Sequence, residues 1–286
     1  MSLRQRLSQL ARSWRAPRRS LLAAAARLER LETLASAQRF EDLRRRCAPH
    51  NPLLAYGAKH YSQNDEDGLI EEITRRTLGE RAGSFLELGV GDGRENNTLN
   101  LVARGWRGVW LGGEPLAFAS EGPRLRFRQC WIALDNVATL CRETLDTHGI
   151  AQPDLVSLDL DGNDHHLCAR LVASGLKPAV WVVEYNARFS PLTRWVMPYD
   201  PQHRWDGSDH FGASLAAFHE LLGADGYRLV ACNITGANAF FVRADLAPRF
   251  PELPEDWRRL YMAAEYLPYP SFAHPASLRT IESLLK

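Results

Sequence analysis

The sequence has no pair of cysteines at disulfide or zinc-site spacing. Its five, Cys47, Cys130, Cys141, Cys168 and Cys232, are scattered along 286 residues without a CxxC. That excludes a disulfide framework and predicts reduced thiols in a cytoplasmic protein. No run of about 18 apolar residues occurs, so no membrane-spanning helix is expected. A secretory signal is excluded too: arginines precede LLAAAARL and Ala35-Ser36-Ala37 follows, but Arg27, Glu29, Arg30 and Glu32 break up the apolar part. There is no internal repeat and no low-complexity tract. The net charge of +1 selects no partner by itself.

What is present is ordinary in amount and uneven in placement. A content of 45% hydrophobic and 24% charged residues is that of a globular protein with a sizeable core. Residues 1–46 carry twelve arginines against four acids, a net of +8, which leaves −7 for the rest. A body of that sign repels phosphates, so no nucleic-acid partner is expected. Leu3, Leu7, Leu10 and Trp14 lie on one helical face. Pro17 is expected to end that helix and Ser20 to cap a second. The chain divides into a basic amphipathic arm (1–47), a catalytic-type domain (48–246) and a C-terminal helical or irregular extension (247–286). The arm has two readings: packing on the body or on a second copy in a homodimer, and peripheral contact with an anionic inner-membrane surface.

Residues 48–60 look like a linker. Strands and helices then alternate. Strands are expected at 84–90, 108–111, 125–132, 154–161 and 179–185, with a closely joined pair at 227–232 and 239–242. The fold class is α/β: a Rossmann-like, seven-stranded, mostly parallel sheet with a C-terminal antiparallel hairpin and helices on both faces.

After the first strand the chain reads FLELGVGDGRENNT. It has no GK[ST] for a P-loop, and Arg94 stands where a dinucleotide fingerprint needs its third glycine. The pattern E-x-G-x-G-x-G resembles the first motif of class I S-adenosylmethionine-dependent methyltransferases. By that resemblance Glu87, Gly89, Gly91, Asp92 and Gly93 would bind the donor. Glu114, after the second strand, would lie near its ribose. Asp135, after the third, would lie near adenine, unless Asp135 or Asn136 simply caps the next helix.

Strand tips on one edge of such a sheet face one crevice. The fourth ends SLDLDGNDHH and the fifth VVEYN, which brings Asp159 or Asp161, Asp164, Glu184 and Asn186 toward the glycine turn. The layout is similar to metal-dependent O-methyltransferases of the catechol type, which implies Asp161, Glu184 and Asn186 as ligands of Mg2+. Without a metal, Asp161 or Asp164 would orient a hydroxyl and His165 or His166 would take its proton. The long segment 194–215 supplies aromatic faces and hydrogen-bonding groups for an acceptor: Trp195, Tyr199, His203, Trp205, Asp209 and His210.

In order, YSQNDEDGLIEEI, LELGVGDGRENNTLNL, GWRGVW, SLDLDGND, VVEYN, FGASLAAF and NAFFVR resemble bacterial FkbM-type methyltransferases over residues 60–246. The resemblance implies O-methylation by S-adenosylmethionine of a sugar hydroxyl on a surface glycan or glycolipid. It also implies that Gln63 and Asp67 close over the donor. Two alternatives stand beside it: methylation of a small secondary metabolite, and a donor-binding scaffold without catalysis. The tetrapeptide [DN]-P-P-[YFW] of N-methylating enzymes is absent after the fourth strand.

Overall fold

The computed structural model describes residues 3–119 and 122–286, with side chains from Ser20 onward. Seven strands form one sheet: β1 (Ser84–Leu88), β2 (Arg107–Gly112), β3 (Leu125–Gln129), β4 (Leu155–Leu158), β5 (Val180–Glu184), β6 (Tyr227–Cys232) and β7 (Asn238–Arg243). Their order is β3-β2-β1-β4-β5-β7-β6. The first five are parallel, and β7 runs antiparallel to both β5 and β6. This is the mixed sheet that the alternating pattern predicts. The chain reverses its winding between β1 and β4, which opens a crevice beyond the carboxyl ends of those strands.

The central strands are apolar on both faces because helices cover both. Phe85, Leu86 and Leu88 of β1, Val156 and Leu158 of β4, and Trp181, Val182 and Val183 of β5 are fully buried. The crossovers are α3 (Leu99–Ala103), α4 (Val137–Thr147), α5 (Asp164–Ala173) and α6 (Leu215–Ala224). α2 (Glu66–Leu78) precedes β1, and α7 (Leu278–Leu284) closes the tail.

Three boundaries depart from expectation. First, α1 is one helix, Leu3–Cys47, passing through Pro17 and Ser20 without a break. An interior proline removes one amide donor and bends a helix, and the leucines, alanines and arginines on either side favour helix strongly enough to carry it across. The stripe Leu3, Leu7, Leu10, Trp14 lies outside the described side chains. Second, residues 48–60 are not a linker: Pro52–Tyr56 forms a 3-10 turn whose Leu53 and Leu54 are fully buried. Third, the tail after residue 246 does not stand apart. Phe250, Leu260, Met262, Ile281 and Leu285 belong to the same core as the sheet. No helix among the described residues is long and apolar enough to cross a membrane.

Candidate active site

The glycine turn shapes the crevice in two ways. Gly89 has φ +91°, and a Cβ there would lie 1.5 Å from the carbonyl oxygen of Asp159. Its bare backbone lets the tip of β1 close against the tip of β4. Gly91 has φ +50° and nothing within 4 Å of where its Cβ would be, so the turn is open to a ligand at that point. Asp92, half-buried in this turn, accepts the Arg94 N–H at 3.1 Å and pairs with the Arg94 guanidinium at 3.2 Å.

Glu87 does not present a free charge to the crevice. It is buried, and its oxygens accept the Asn97 N–H at 2.9 Å, the Thr98 N–H at 3.2 Å and the Thr98 hydroxyl. Trp110 Nε1 donates to the same hydroxyl at 2.8 Å. Burial raises the Glu87 carboxyl to about 7. Its place is under the turn, where it fixes the entry to α3. The expected direct contact with the donor is therefore corrected to a supporting one.

The stretch Asp65-Glu66-Asp67 at the start of α2 is buried as a unit. Asp65 accepts the Ile234 N–H at 3.2 Å. Glu66 accepts from the Asn233 and Asn238 amides at 2.7 and 3.2 Å. One oxygen of Asp67, Oδ2, accepts the backbone N–H groups of His60, Tyr61 and Ser62 at 2.7, 2.6 and 2.8 Å. Asp67 thus anchors the loop that carries Gln63, and its role is also corrected from donor contact to loop anchor. Gln63 itself lines a cavity.

That cavity, of about 670 Å3, opens beyond the tips of β4 and β5. Asp161, Glu184 and Asn186 line it, as do Gln63, Trp205 and Asp209. One oxygen from each of Asp159, Asp161 and Glu184 falls within 4.8 Å of the others. Asp161 is held at φ +54°, a left-handed conformation otherwise confined to glycine in the described residues. Burial, and then the neighbouring acids, drive Asp159 and Glu184 well above the ordinary carboxylate range. Burial also raises Asp161, while His203 opposes the shift. Glu184 Oε2 is buried without a hydrogen-bond partner. Three crowded carboxyls with an unsatisfied oxygen suit either a shared proton or a hard divalent ion.

Several expected residues sit elsewhere. Asn186 borders the cavity, but its amide donates to the carbonyls of Asp209 and Phe211 at 2.8 and 2.9 Å and its oxygen accepts the Arg188 N–H at 3.1 Å. It holds the loop, and Asp159 takes its place among the acids. Asp164 is fully buried and accepts the Leu160 and Gly162 N–H groups at 2.7 and 2.9 Å, so it clamps the turn that strains Asp161. Burial raises it to about 6. His165 and His166 line a separate surface groove with Arg170 and Arg194. Burial lowers His165 to about 4, and His166 bonds the Met197 carbonyl at 2.7 Å. Neither faces the cavity, which removes them as bases there.

The 194–215 segment divides similarly. Trp205 faces the cavity, while Trp195 stacks on Phe189 at 4.5 Å, with His210 at its edge. The Tyr199 hydroxyl accepts the Leu134 N–H at 3.1 Å, which ties the segment to the connection after β3. His203 reaches the Asp161 carbonyl at 3.1 Å, so it is the histidine beside the acids. Glu114 and Asp135 are exposed on the same edge of the sheet.

The sequence reading missed one wall altogether. Lys59, Arg188, Thr235, Tyr266 and Tyr269 also line the cavity. Tyr269 is positioned by α1: its hydroxyl accepts from Arg44 at 2.9 Å and its ring packs on Phe40 at 5.2 Å. The aromatic run Tyr266-Leu267-Pro268-Tyr269-Pro270 was the available signal.

No protein-family model and no curated protein matches this chain. Solved structures do match. MycE methyltransferase of the mycinamycin biosynthetic pathway, in complex with Mg, SAH and mycinamycin VI, is 15% identical over 61% of this chain and 44% of its own, with a TM-score of 0.33. The chain therefore spans under half of MycE. Cofactor-bound Rv0187 from MTB is 20% identical over 60% of this chain and 77% of its own, with a TM-score of 0.36. The CurJ carbon methyltransferase is 8% identical over 64% and 56%, with a TM-score of 0.36. The fold assignment rests on the strand order and register of this chain.

Proposed function

We propose that this chain is an S-adenosylmethionine-dependent O-methyltransferase whose acceptor is a sugar hydroxyl of a bacterial surface glycan or glycolipid. One observation carries the reading. A cavity at the carboxyl edge of a doubly wound sheet joins the donor-loop residue Gln63 to a cluster of carboxyls, Asp159, Asp161 and Glu184. The motif order over residues 60–246 supports the donor, and the mixture of Trp205 and Tyr266 with Asp209 and Arg188 supports a hydroxylated ring.

In the reaction the acceptor oxygen attacks the methyl carbon in line with the carbon–sulfur bond. The bonding pair leaves with sulfur, giving S-adenosylhomocysteine, and the hydroxyl proton goes to a base. Gly91 gives the donor's carboxylate access to backbone amides. Gln63 lies against the donor from the α2 side, with Glu114 toward ribose and Asp135 toward adenine. Trp205 stacks on the acceptor. The proton passes to an ionised member of the carboxyl cluster of Asp159, Asp161 and Glu184, one oxygen of each lying within 4.8 Å of the others. Asp159, Asp161 and Glu184 also fit a divalent ion such as Mg2+, which when bound lowers the pKa of a coordinated hydroxyl. Holding the two atoms in line supplies up to roughly 7–11 kcal/mol of the barrier reduction.

The test is methyl transfer from labelled donor to a panel of free sugars, lipid-linked glycans and small aromatic hydroxyls, followed by mass spectrometry. Transfer to a sugar, lost in Glu184→Gln, is expected. Transfer to the aromatic hydroxyls alone would reject the glycan assignment.

A further inference from the structure

α1 has two faces with different fates. Its C-terminal third meets the body through Ser36, Phe40, Leu43 and Cys47, spaced four, three and four apart. From Ser20 to Glu32 every residue is exposed. Within that stretch Leu21, Leu28 and Leu31 are 71%, 66% and 62% exposed. Leu31 and Phe40 are nine residues apart, about two and a half turns, so they lie on opposite sides of the helix. Leu31 therefore does not continue the body-facing stripe, and Leu21 and Leu28 are exposed beyond its end.

They belong to a heptad seam. Leu21, Ala24, Leu28, Leu31 and Ala35 alternate by three and four, the spacing of the a and d positions of a coiled coil. In sequence the same phase extends back through Leu3, Leu7, Leu10 and Trp14, with Pro17 at one d position. A 45-residue helix is roughly 68 Å long, enough for the seam to project clear of the body.

Charge selects the occupant. In this phase Arg27 is a g position and Glu32 the e position of the next heptad. In a parallel pair, g of one helix faces the following e of its partner. Arg27 then faces the partner's Glu32, and the contact forms twice. An antiparallel pair sets g against g and e against e, so Arg27 cannot meet Glu32. Residues 20–38 hold two arginines and two glutamates, a net charge of zero. An anionic membrane would gain nothing there, whereas a second copy gains both the leucine seam and the paired charges.

We propose that two copies of this chain associate in parallel through the α1 seam from Leu21 to Ala35. Parallel pairing sets both bodies at one end of the stalk. Each cavity wall is then braced by a paired helix, because Arg44 and Phe40 of α1 hold Tyr269. This association is independent of the reaction that the cavity performs.

The test is the solution mass of the full chain by light scattering at micromolar concentration. Twice the chain mass of 32.3 kDa is expected. Leu28→Asp with Leu31→Asp should give the single-chain mass with the body's thermal transition unchanged, since neither residue touches the body. Arg27→Glu or Glu32→Arg alone should raise the dimer dissociation constant about tenfold, and the double reversal should restore it. A wild-type monomer that sediments with anionic vesicles would overturn the proposal. So would a dimer indifferent to the leucine substitutions, and failure of the double reversal to restore affinity would overturn the parallel register.

Discussion

One carboxylate oxygen gathers the start of the loop that carries Gln63, while Glu66 and Lys59 hold Asn64 and Gln63 themselves, which makes Asp67 a sharp test of how the cavity is built. Asp67 is 1% exposed, and its Oδ2 accepts three backbone N–H groups and the Ser62 hydroxyl. Asp67→Ala removes the one acceptor that all four donors share. Ser62 is fully buried, so its amide is left without any partner, a cost of about 1–3 kcal/mol. The His60 and Tyr61 amides are nearer the surface and recover part of their bonding from water, at about 0.5–1 kcal/mol each. The expected loss is about 2–5 kcal/mol. Asp67→Asn keeps an oxygen for the four donors but gives up charge assistance, and it puts an amide nitrogen where Oδ1 has no partner. That should cost about 1–2 kcal/mol. Urea denaturation followed by tryptophan fluorescence measures both. If Ala and Asn are equally mild, below about 1 kcal/mol, the loop is not held by Asp67 and the reasoning fails.

Gly89 and Gly91 should separate cleanly. Gly89→Ala drives a methyl into the Asp159 carbonyl and should abolish soluble folded protein, whereas Gly91→Ala meets open space and should cost only about 1 kcal/mol of left-handed strain, read by thermal melting. A second expectation concerns pH. The Glu87 carboxyl holds its proton up to about 7 when folded, against an ordinary 4.5 in the unfolded chain, and Asp65 behaves alike. The folded state therefore binds more protons between those values, and stability of the ligand-free protein should fall as pH rises from about 4.5 to 7. A melting temperature that climbs over that window would contradict the burial assigned to these acids. Millimolar Mg2+ should raise the melting temperature at pH 8, where the acid cluster is most repulsive, and Glu184→Gln should remove the effect; equal shifts in both proteins would show the ion acting elsewhere.

The fold was legible because apolar runs of five or six residues alternate with helical spacing, and each run became a strand within a few residues of its expected ends. Convergence at the site was legible for a related reason: residues just past parallel strand ends must share an edge, which brought Asp161 and Glu184 into one cavity. Direction was not legible. Asp164 and His165 are neighbours in sequence, yet the first turns back to clamp its own loop and the second faces a groove on the other side of α5. The choice between Asp159 and Asp161 could not be made because both point the same way, and both joined the cluster. Glu87 looked like a ligand contact because an acid beside a glycine turn suits a cation, and Asp67 did so through the family resemblance; here backbone amides claim them first. The Tyr266–Tyr269 wall was hidden for want of periodicity. It is assembled by contacts with α1 more than 200 residues away in sequence, such as Arg44 with Tyr269.

The central claim is that the edge beyond β1 and β4 binds a sulfonium methyl donor. Calorimetric titration of the full chain with S-adenosylhomocysteine tests it most directly, with Gly91→Val as the comparison. The account predicts micromolar binding by the wild type and loss of at least tenfold in a variant whose side chain fills the open face of the turn. Absence of heat at any concentration, with magnesium and after chelation, or equal affinity in the two proteins, would contradict it.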